Sequence, residues 1–257
     1  MASELEDASQ VASDLVSYVD SILPMWLTAP DGARDPAIQT QWIPVRITET
    51  LESVLLLGEG HRHNDAAALV RVMVDHLILF AWLLGDNNPP DRINSWKKEE
   101  LRQIKAMHGD LKALKADGVD EPSLLFNIET SVKFPRGAYE AAKACDRFWG
   151  PHMSPLFKEG TVNSFSGLYA AVFRATSAYV HPSLRGSMGF LATPTTGGTS
   201  GKDFRLSRSF ADHPGIYVQA VVTELLALWI FVARFRHDDV PKILPLVDRV
   251  IRLTSKT

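Results

Sequence analysis

The sequence predicts an all-α fold, a multi-helix bundle of eight or nine helices with one small β-hairpin near residues 187–207. Two observations support this prediction. Apolar residues recur at helical spacing through most of the chain, and Gly or Pro residues interrupt that pattern at short intervals. Hydrophobic residues make up 46% of the 257 residues, which is enough for a sizeable core. We therefore expect one helical domain over residues 1–257.

The predicted elements follow one another along the whole chain. Ser3 and Glu6 have the spacing of a capping box at the start of the first helix, and Pro24 ends that helix. Further helices are predicted at 38–57 with a kink at Pro44, 64–84, 91–115, 123–132, 137–148, 162–180, 212–236 and 240–253. Strand-forming residues at 187–193 and 204–206 predict the hairpin. The domain thus divides into N-terminal helices (1–60), a core (61–183), the hairpin (184–210) and C-terminal helices (211–257).

Composition narrows the class of protein. The net charge of -3 does not indicate a general nucleic-acid binder, and the single Cys145 excludes an intramolecular disulfide. The apolar tracts 69–84 and 218–235 contain charged residues, so we interpret them as core helices rather than membrane spans. The first 20 residues lack the pattern of a signal peptide. We expect a cytoplasmic protein with no membrane association. The sequence has no Walker A loop, dinucleotide fingerprint, nucleophile elbow or Cys-x-x-Cys pair.

Arg174 and His181 form the most informative pair of polar residues. They are seven residues apart on a predicted helix, so they share one side of it with Ser177 between them. A guanidinium holds a phosphate by two parallel hydrogen bonds, and an imidazole transfers protons near neutral pH. That chemistry needs no metal and no cofactor. The structural alternative is that His181, just before Pro182, caps the helix end and Arg174 pairs with a carboxylate.

Helix geometry separates Arg174 from His181. Their Cα atoms are expected to lie about 10 Å apart along the axis, and the Arg174 side chain leans away from His181. If these residues act together, they line one long groove or meet across a symmetric dimer.

A second group of polar residues lies on the apolar helix predicted at 64–84. Arg71 and Asp75 are four residues apart and are interpreted first as a structural ion pair. In the functional alternative, Asp75 or His76 faces the Arg174 helix and orients His181. Both alternatives remain open from the sequence.

Several basic or histidine-rich stretches admit two interpretations. The Lys and Arg residues of 91–115 indicate a solvated helix face or, less often, a nucleic-acid contact. The residues flanking the hairpin either bind RNA or protect an exposed strand edge; they are Arg185, Arg205 and Arg208. His61 and His63 have the spacing of a weak metal motif, but we favour a solvated loop with Asn64 or Asp65 as the helix cap, and we expect no metal site.

Three motifs carry a resemblance to known families. They are Ala67-Ala-Leu-Val-Arg71-x-x-x-Asp75, Trp82-Leu-Leu-x-Asp86 with Arg92, and Tyr179-Val-His181-Pro182-Ser183. Over about residues 66–183 the chain resembles a bacterial family of helical domains of unknown function. The Arg174–His181 tract is similar to the Arg-x4–6-His motif of the HEPN superfamily. That resemblance implies a metal-independent endoribonuclease in a toxin–antitoxin or phage-defence system, acting as a homodimer.

Two function hypotheses follow. In the first, the chain is an RNA-directed protein in which Arg174 holds the scissile phosphate, His181 is the general acid or base, and Ser177, Asp75, Arg71 and His76 support them. Its partners would be RNA and an antitoxin or other protein. The alternative is a non-enzymatic helical module that binds a protein partner or a small ligand. Whether the protein is an enzyme is left open at this point.

Overall fold

The computed structural model describes residues 2–22, 34–87, 89–113, 128–153, 163–173, 176 and 214–255, and every element within these ranges is helical. The α-helices are α1 (Ala2–Ile22), α2 (Arg34–Thr40), α3 (Trp42–Glu59), α4 (His63–Leu84), α5 (Pro89–Ala113), α6 (Ala138–Trp149), α7 (Phe165–Leu168), α8 (Pro214–Phe235) and α9 (Val240–Thr254). A π-helical turn, Tyr169–Phe173, continues α7, and a 3-10 turn, His237–Asp239, joins α8 to α9. The all-α prediction is confirmed, whereas the hairpin predicted near 187–207 lies outside the described residues.

Helix α4 lies at the centre of the fold. On one side it packs with α3 and α8, and the terminal helices α1 and α9 pack against α8. On its other side lie α5, α6 and the π-helical turn. The buried apolar residues form one cluster that runs through all these helices. Helix α4 therefore has two faces with different neighbours: one packs against α3 and α8, and the other against α5, α6 and the π-helical turn.

The predicted boundaries agree with the structure for most helices, with two corrections. The helix predicted at 38–57 is two helices that meet at Gln41, and the break precedes the expected kink at Pro44. The described part of the helix predicted at 123–132 is not helical, since residues 128–130 and 133–135 are irregular and 131–132 form a bend. There the hydroxyl group of Thr130 donates to the carbonyl of Asp91 in α5 at 3.0 Å and accepts from the Val132 amide at 3.2 Å, so side-chain hydrogen bonds replace the helical pattern.

The residues of one sequence motif, Trp82, Asp86 and Arg92, lie at the corner between α4 and α5. The Arg92 guanidinium donates to the Trp82 carbonyl at 2.6 Å and to the Asp86 carboxylate at 3.1 Å. Trp149 of α6 donates its indole N–H to the Ala81 carbonyl at 2.7 Å. These bonds satisfy carbonyls that the end of α4 leaves without helical partners. Trp82, Asp86 and Arg92 therefore hold two helices at a fixed angle.

The side of α4 that faces α3 and α8 contains buried polar groups. Thr48 of α3 donates to Glu224 of α8 at 2.8 Å, and Glu224 is fully buried. Burial raises the pKa of Glu224 to about 8 and outweighs the hydrogen bond from Thr48. At one end of α8, the Tyr217 hydroxyl lies 2.5 Å from Nδ1 of His63. We call this contact between α8 and the helices α3 and α4 the buried seam.

Two described helices are long and apolar enough to cross a membrane, His63–Leu84 and Gly215–Phe235. In the fold, 61% and 83% of their most apolar windows are buried against other parts of the chain. The core helices of water-soluble proteins meet the same criteria of length and composition. Burial of this extent agrees with their expected role as core helices.

Candidate functional site

A basic groove runs along the open side of α4, between α5 and the segment 128–137. It consists of two adjoining cavities of about 530 Å³ and about 600 Å³. The two cavities share the side chains of Glu99, Arg102, Lys133 and Phe134, so they form one continuous surface feature. Its size is in the range of ligand-binding clefts.

The charged residues that line the basic groove are mostly cationic. Its basic residues are Lys98, Arg102, Lys105, Lys133 and Arg136. The lining carboxylates are Asp75 and Glu99. Between the charges lie apolar side chains that include Ile78, Leu79, Trp82 and Phe134. The groove therefore has an excess of positive charge although the whole chain carries a net charge of -3.

The segment 128–137 is fastened at both ends. The Asp91 carboxylate accepts hydrogen bonds from the Ser131 hydroxyl at 2.5 Å and from the Ser131 amide at 3.2 Å. The hydrogen bonds from Ser131 hold the pKa of Asp91 below its usual value. At the other end, the Arg136 amide donates to Glu140 in the first turn of α6 at 3.0 Å. In between, the Phe134 ring meets the Trp82 ring edge-on, with 5.1 Å between their centroids. These contacts fix the backbone that carries Lys133 and Arg136.

Glu99 and Arg102 form a bidentate pair on the wall of the groove. Nε and a terminal nitrogen of Arg102 donate to the two Glu99 oxygens at 2.8 Å and 2.6 Å. Gln103 donates to the same carboxylate at 3.2 Å, and these hydrogen bonds lower the pKa of Glu99 to about 2. Glu99 thus holds the Arg102 guanidinium in place, since planar forks of this kind have a defined geometry.

Asp75 contributes a carboxyl group to the groove from the α4 side. Burial raises its pKa, and the positive charge of Arg71 partly offsets that rise. Asp75 is therefore an accessible carboxyl group with a perturbed pKa in a cleft, which is a frequent property of functional sites.

Arg71 connects α4 to the start of the Arg174 tract. Its guanidinium lies over the Phe173 ring, 4.1 Å from the centroid. Phe173 stacks on Tyr169 at 4.4 Å, and Tyr169 contacts Tyr139 of α6 at 5.4 Å. Phe173 is the residue before Arg174 in the sequence. This ladder of rings holds the π-helical turn against α4 and α6, and π-helical turns are frequent at functional sites.

The helix that leads into this turn is fixed at its N-terminus as well. Asp146 of α6 accepts from the backbone amides of Phe165 and Ser166 at 2.6 Å and 3.2 Å. Ser164 is the N-cap and accepts from the Gly167 amide at 2.9 Å. The chain is therefore held on α6 from its first helical residue.

His76 follows Asp75 on α4 but does not line the basic groove. Its ring meets the Trp42 ring edge-on at 6.0 Å, and Trp42 is stacked against Trp96 of α5 at 6.2 Å with 28° between the planes. Burial lowers the pKa of His76, and the charge of Arg46 lowers it further. We call Trp42, His76 and Trp96 the aromatic cluster.

The three predicted residues of α4 contact different neighbours, although Arg71 lies close enough to Asp75 to affect its pKa. Arg71 contacts Phe173, Asp75 lines the basic groove, and His76 belongs to the aromatic cluster. The other predicted site residues lie outside the described residues; they are Arg174, Ser177, His181, Arg185, Arg205 and Arg208.

The expectation for His61 and His63 was partly wrong. His63 is buried at the start of α4 against Tyr217, rather than exposed in a solvated loop. Arg62 occupies the N-cap position without a side-chain cap, and its guanidinium pairs with Asp65 at 2.5 Å. Asp65 therefore binds a side chain and not the helix end. Within the described residues, no group of three or more His, Cys, Asp or Glu side chains is placed to hold a metal ion.

Sequence reasoning missed the segment 128–137 as a part of the site. Lys133 and Arg136 flank Phe134 and Pro135 just before α6, and this mixture of cations and an aromatic ring was an available indication. It also missed Trp42 and Trp96, because their pairing joins two helices that are distant in the sequence.

Comparison with known proteins adds a family but no activity. No curated protein matches the chain, and no solved structure matches it. Residues 44–198 match the model of a family of unknown function, DUF5677. This range contains α4 to α7, the part of α3 from residue 44 onward and every residue that lines the basic groove. Because the match covers more than half of the 257 residues, the chain belongs to the DUF5677 family.

Proposed function

We propose that this protein is RNA-directed, and that the basic groove binds the phosphate backbone of its RNA. The observation that carries the proposal is the groove itself, with the cations Lys98, Arg102, Lys105, Lys133 and Arg136 around an apolar floor. Neutralising phosphates with Lys and Arg side chains is the main source of affinity for nucleic acids. The accessible carboxyl group of Asp75 lies at the same groove.

The finer proposal is a HEPN-like, metal-independent endoribonuclease in a toxin or phage-defence context. Arg174 would hold the scissile phosphate and His181 would act as general acid or base, with Ser177 in support. The contact between Arg71 and Phe173 supports it, since it brings the residue before Arg174 onto α4 one helical turn from Asp75. The resemblance further implies a homodimer with an antitoxin or another protein partner, and the composition of the chain favours a cytoplasmic location. In this proposal, the predicted hairpin brings Arg185, Arg205 and Arg208 to the RNA.

A second candidate function is a non-enzymatic helical module that binds a protein or a small ligand. One observation favours it: Trp82, Asp86 and Arg92, the residues of a motif behind the resemblance, bind one another at a helix corner. Their role is to hold the fold, so that motif does not by itself indicate catalysis.

The binding proposal is tested with the double variant Lys133→Ala/Arg136→Ala. Both residues are exposed, so the fold should be preserved. We expect weaker binding of a single-stranded RNA and a salt slope, log Kd against log salt, that is lower by about 1.4. The matched control is Arg147→Ala/Arg252→Ala, which removes the same charge at exposed positions outside the groove lining. Equal losses in both variants, or no RNA binding by the wild type, would contradict the proposal.

The cleavage proposal is tested separately by comparing the wild type with Arg174→Ala and His181→Ala. We expect RNA cleavage in the presence of EDTA by the wild type and a loss of at least about 100-fold in His181→Ala, as for a general acid or base. Binding of RNA should persist in His181→Ala. Equal cleavage by the wild type and His181→Ala, or no cleavage by the wild type, would contradict the cleavage proposal and leave the groove as a binding site only.

A further inference from the structure

We propose that the aromatic cluster is a stacking subsite for an unpaired base of the RNA held in the basic groove. This inference rests on the proposed function and assigns a role to Trp42, Trp96 and His76. Its first support is exposure, because Trp42 is 42% exposed although tryptophan side chains are usually well covered. Val72, one helical turn before His76 on α4, is 39% exposed, and so is Ile38 of α2, four residues before Trp42 in the sequence.

The second support is the ordering of the rings. Trp96 stacks on Trp42 with 28° between the planes, and His76 meets Trp42 edge-on. The Trp96 indole N–H donates to Glu100 at 3.2 Å, which fixes its orientation on α5. A surface whose rings are already ordered loses less conformational entropy when a base stacks on it.

The third support is continuity with the basic groove. Trp96 precedes Gln103 by seven residues on α5, so both project from the same side of that helix, and Gln103 lines the groove. On α4, Val72 and Leu79 have the same spacing, and Leu79 lines the groove. The aromatic cluster therefore adjoins the groove at the first turns of α5, although its rings line neither cavity.

The composition of the combined surface favours RNA over a protein partner. Cations along a groove with aromatic rings at its end match the arrangement that binds single-stranded nucleic acids, in which the charges track phosphates and bases stack on rings. A base inside a duplex has both faces covered by its neighbours, so it cannot stack on Trp42. The subsite consequently selects RNA with unpaired nucleotides.

The test measures the affinities of three probes in a His181→Ala background, which prevents loss of the probe by the proposed cleavage. The probes are a single-stranded RNA, the duplex of the same sequence and inorganic polyphosphate. We expect Trp42→Ala to weaken binding of the single strand about tenfold and to leave polyphosphate and duplex unchanged. Trp42→Phe, which keeps a ring, should retain most of the affinity. Leu244→Ala is the control, because Leu244 of α9 is also 42% exposed.

The outcomes distinguish the subsite from the groove. If Trp42→Ala binds all three probes as the unaltered background protein does, the base subsite is wrong while the groove proposal stands, and the patch is left for a protein partner. If Trp42→Ala weakens all probes equally, the effect is structural and the subsite is also wrong. If no probe binds the unaltered background protein, the proposed function fails and the subsite fails with it. Quenching of tryptophan fluorescence by the single strand, reduced in Trp42→Phe, gives a second measurement that supports the subsite.

Discussion

The two sides of α4 contain carboxyl groups whose pKa is raised by burial, yet they differ in what surrounds them. Glu224 in the buried seam is fully enclosed and accepts a hydrogen bond from Thr48. Asp75 on the open side lines a groove with five cationic side chains. Desolvation is the leading cause of the raised pKa in both cases. A perturbed pKa therefore indicates a site only where a ligand has access, and elsewhere it reports a cost to folding.

The largest effect is expected from Glu224→Gln in the buried seam. The pKa of Glu224 is about 8 in the folded protein against an ordinary value of 4.5, so its contribution to stability is fully present below pH 4.5 and is lost as the pH rises to about 8. Over that window the wild type should lose up to about 1.4 kcal/mol per pH unit from this group, roughly 5 kcal/mol in all. Glu224→Gln should lack this loss. Urea unfolding between pH 4.5 and 9 measures it, and parallel curves for the two proteins would contradict the assignment.

A smaller effect is expected from Gly58→Ala, also at the buried seam. A Cβ atom at Gly58 would lie 2.7 Å from Cε1 of Tyr217, whose hydroxyl is held at His63. Overpacking of this kind costs about 2 kcal/mol, so the midpoint of thermal unfolding should fall. The control is Gly109→Ala in α5, where a Cβ atom meets nothing within 4 Å and helix propensity should raise stability by about 0.5 kcal/mol. A gain of stability in Gly58→Ala like that in Gly109→Ala would show that Tyr217 does not limit the space.

The smallest effect is expected from Asp75→Asn, a substitution in the basic groove. Removing a negative charge from the basic groove should strengthen RNA binding about twofold at low salt, because the phosphates then meet less repulsion. The free energy of unfolding should change by about 0.5 kcal/mol or less, since this group is only partly buried. Asp248→Asn, the same change at an exposed position on α9, is the control. A gain in affinity by both variants would indicate a general effect of net charge. Glu224→Gln should bind RNA as the wild type does.

The sequence by itself determined the helices of this protein. Spacing of apolar residues and breaks at Gly or Pro located α4, α6, α8 and α9 to within about two residues at each end, because these signals are local. It failed at Gln41, where two helices meet without a strong breaker, and at 128–132, where Thr130 and Ser131 bind Asp91 some 40 residues away. Bonds to distant residues leave no periodic pattern.

Only the tertiary structure decided which polar residues act together. The sequence placed Arg71, Asp75 and His76 within two turns of one helix, yet each faces a different neighbour: Phe173, the basic groove and Trp42. Asp75 and His76 lie about 100° apart around the helix, and Arg71 lies one turn before Asp75 on the same side, so each position meets the element that the packing of the helices brings to it. For the same reason, Lys133 and Arg136 became part of a groove, and Trp42 found Trp96, only when α3, α5 and the segment 128–137 came together around α4.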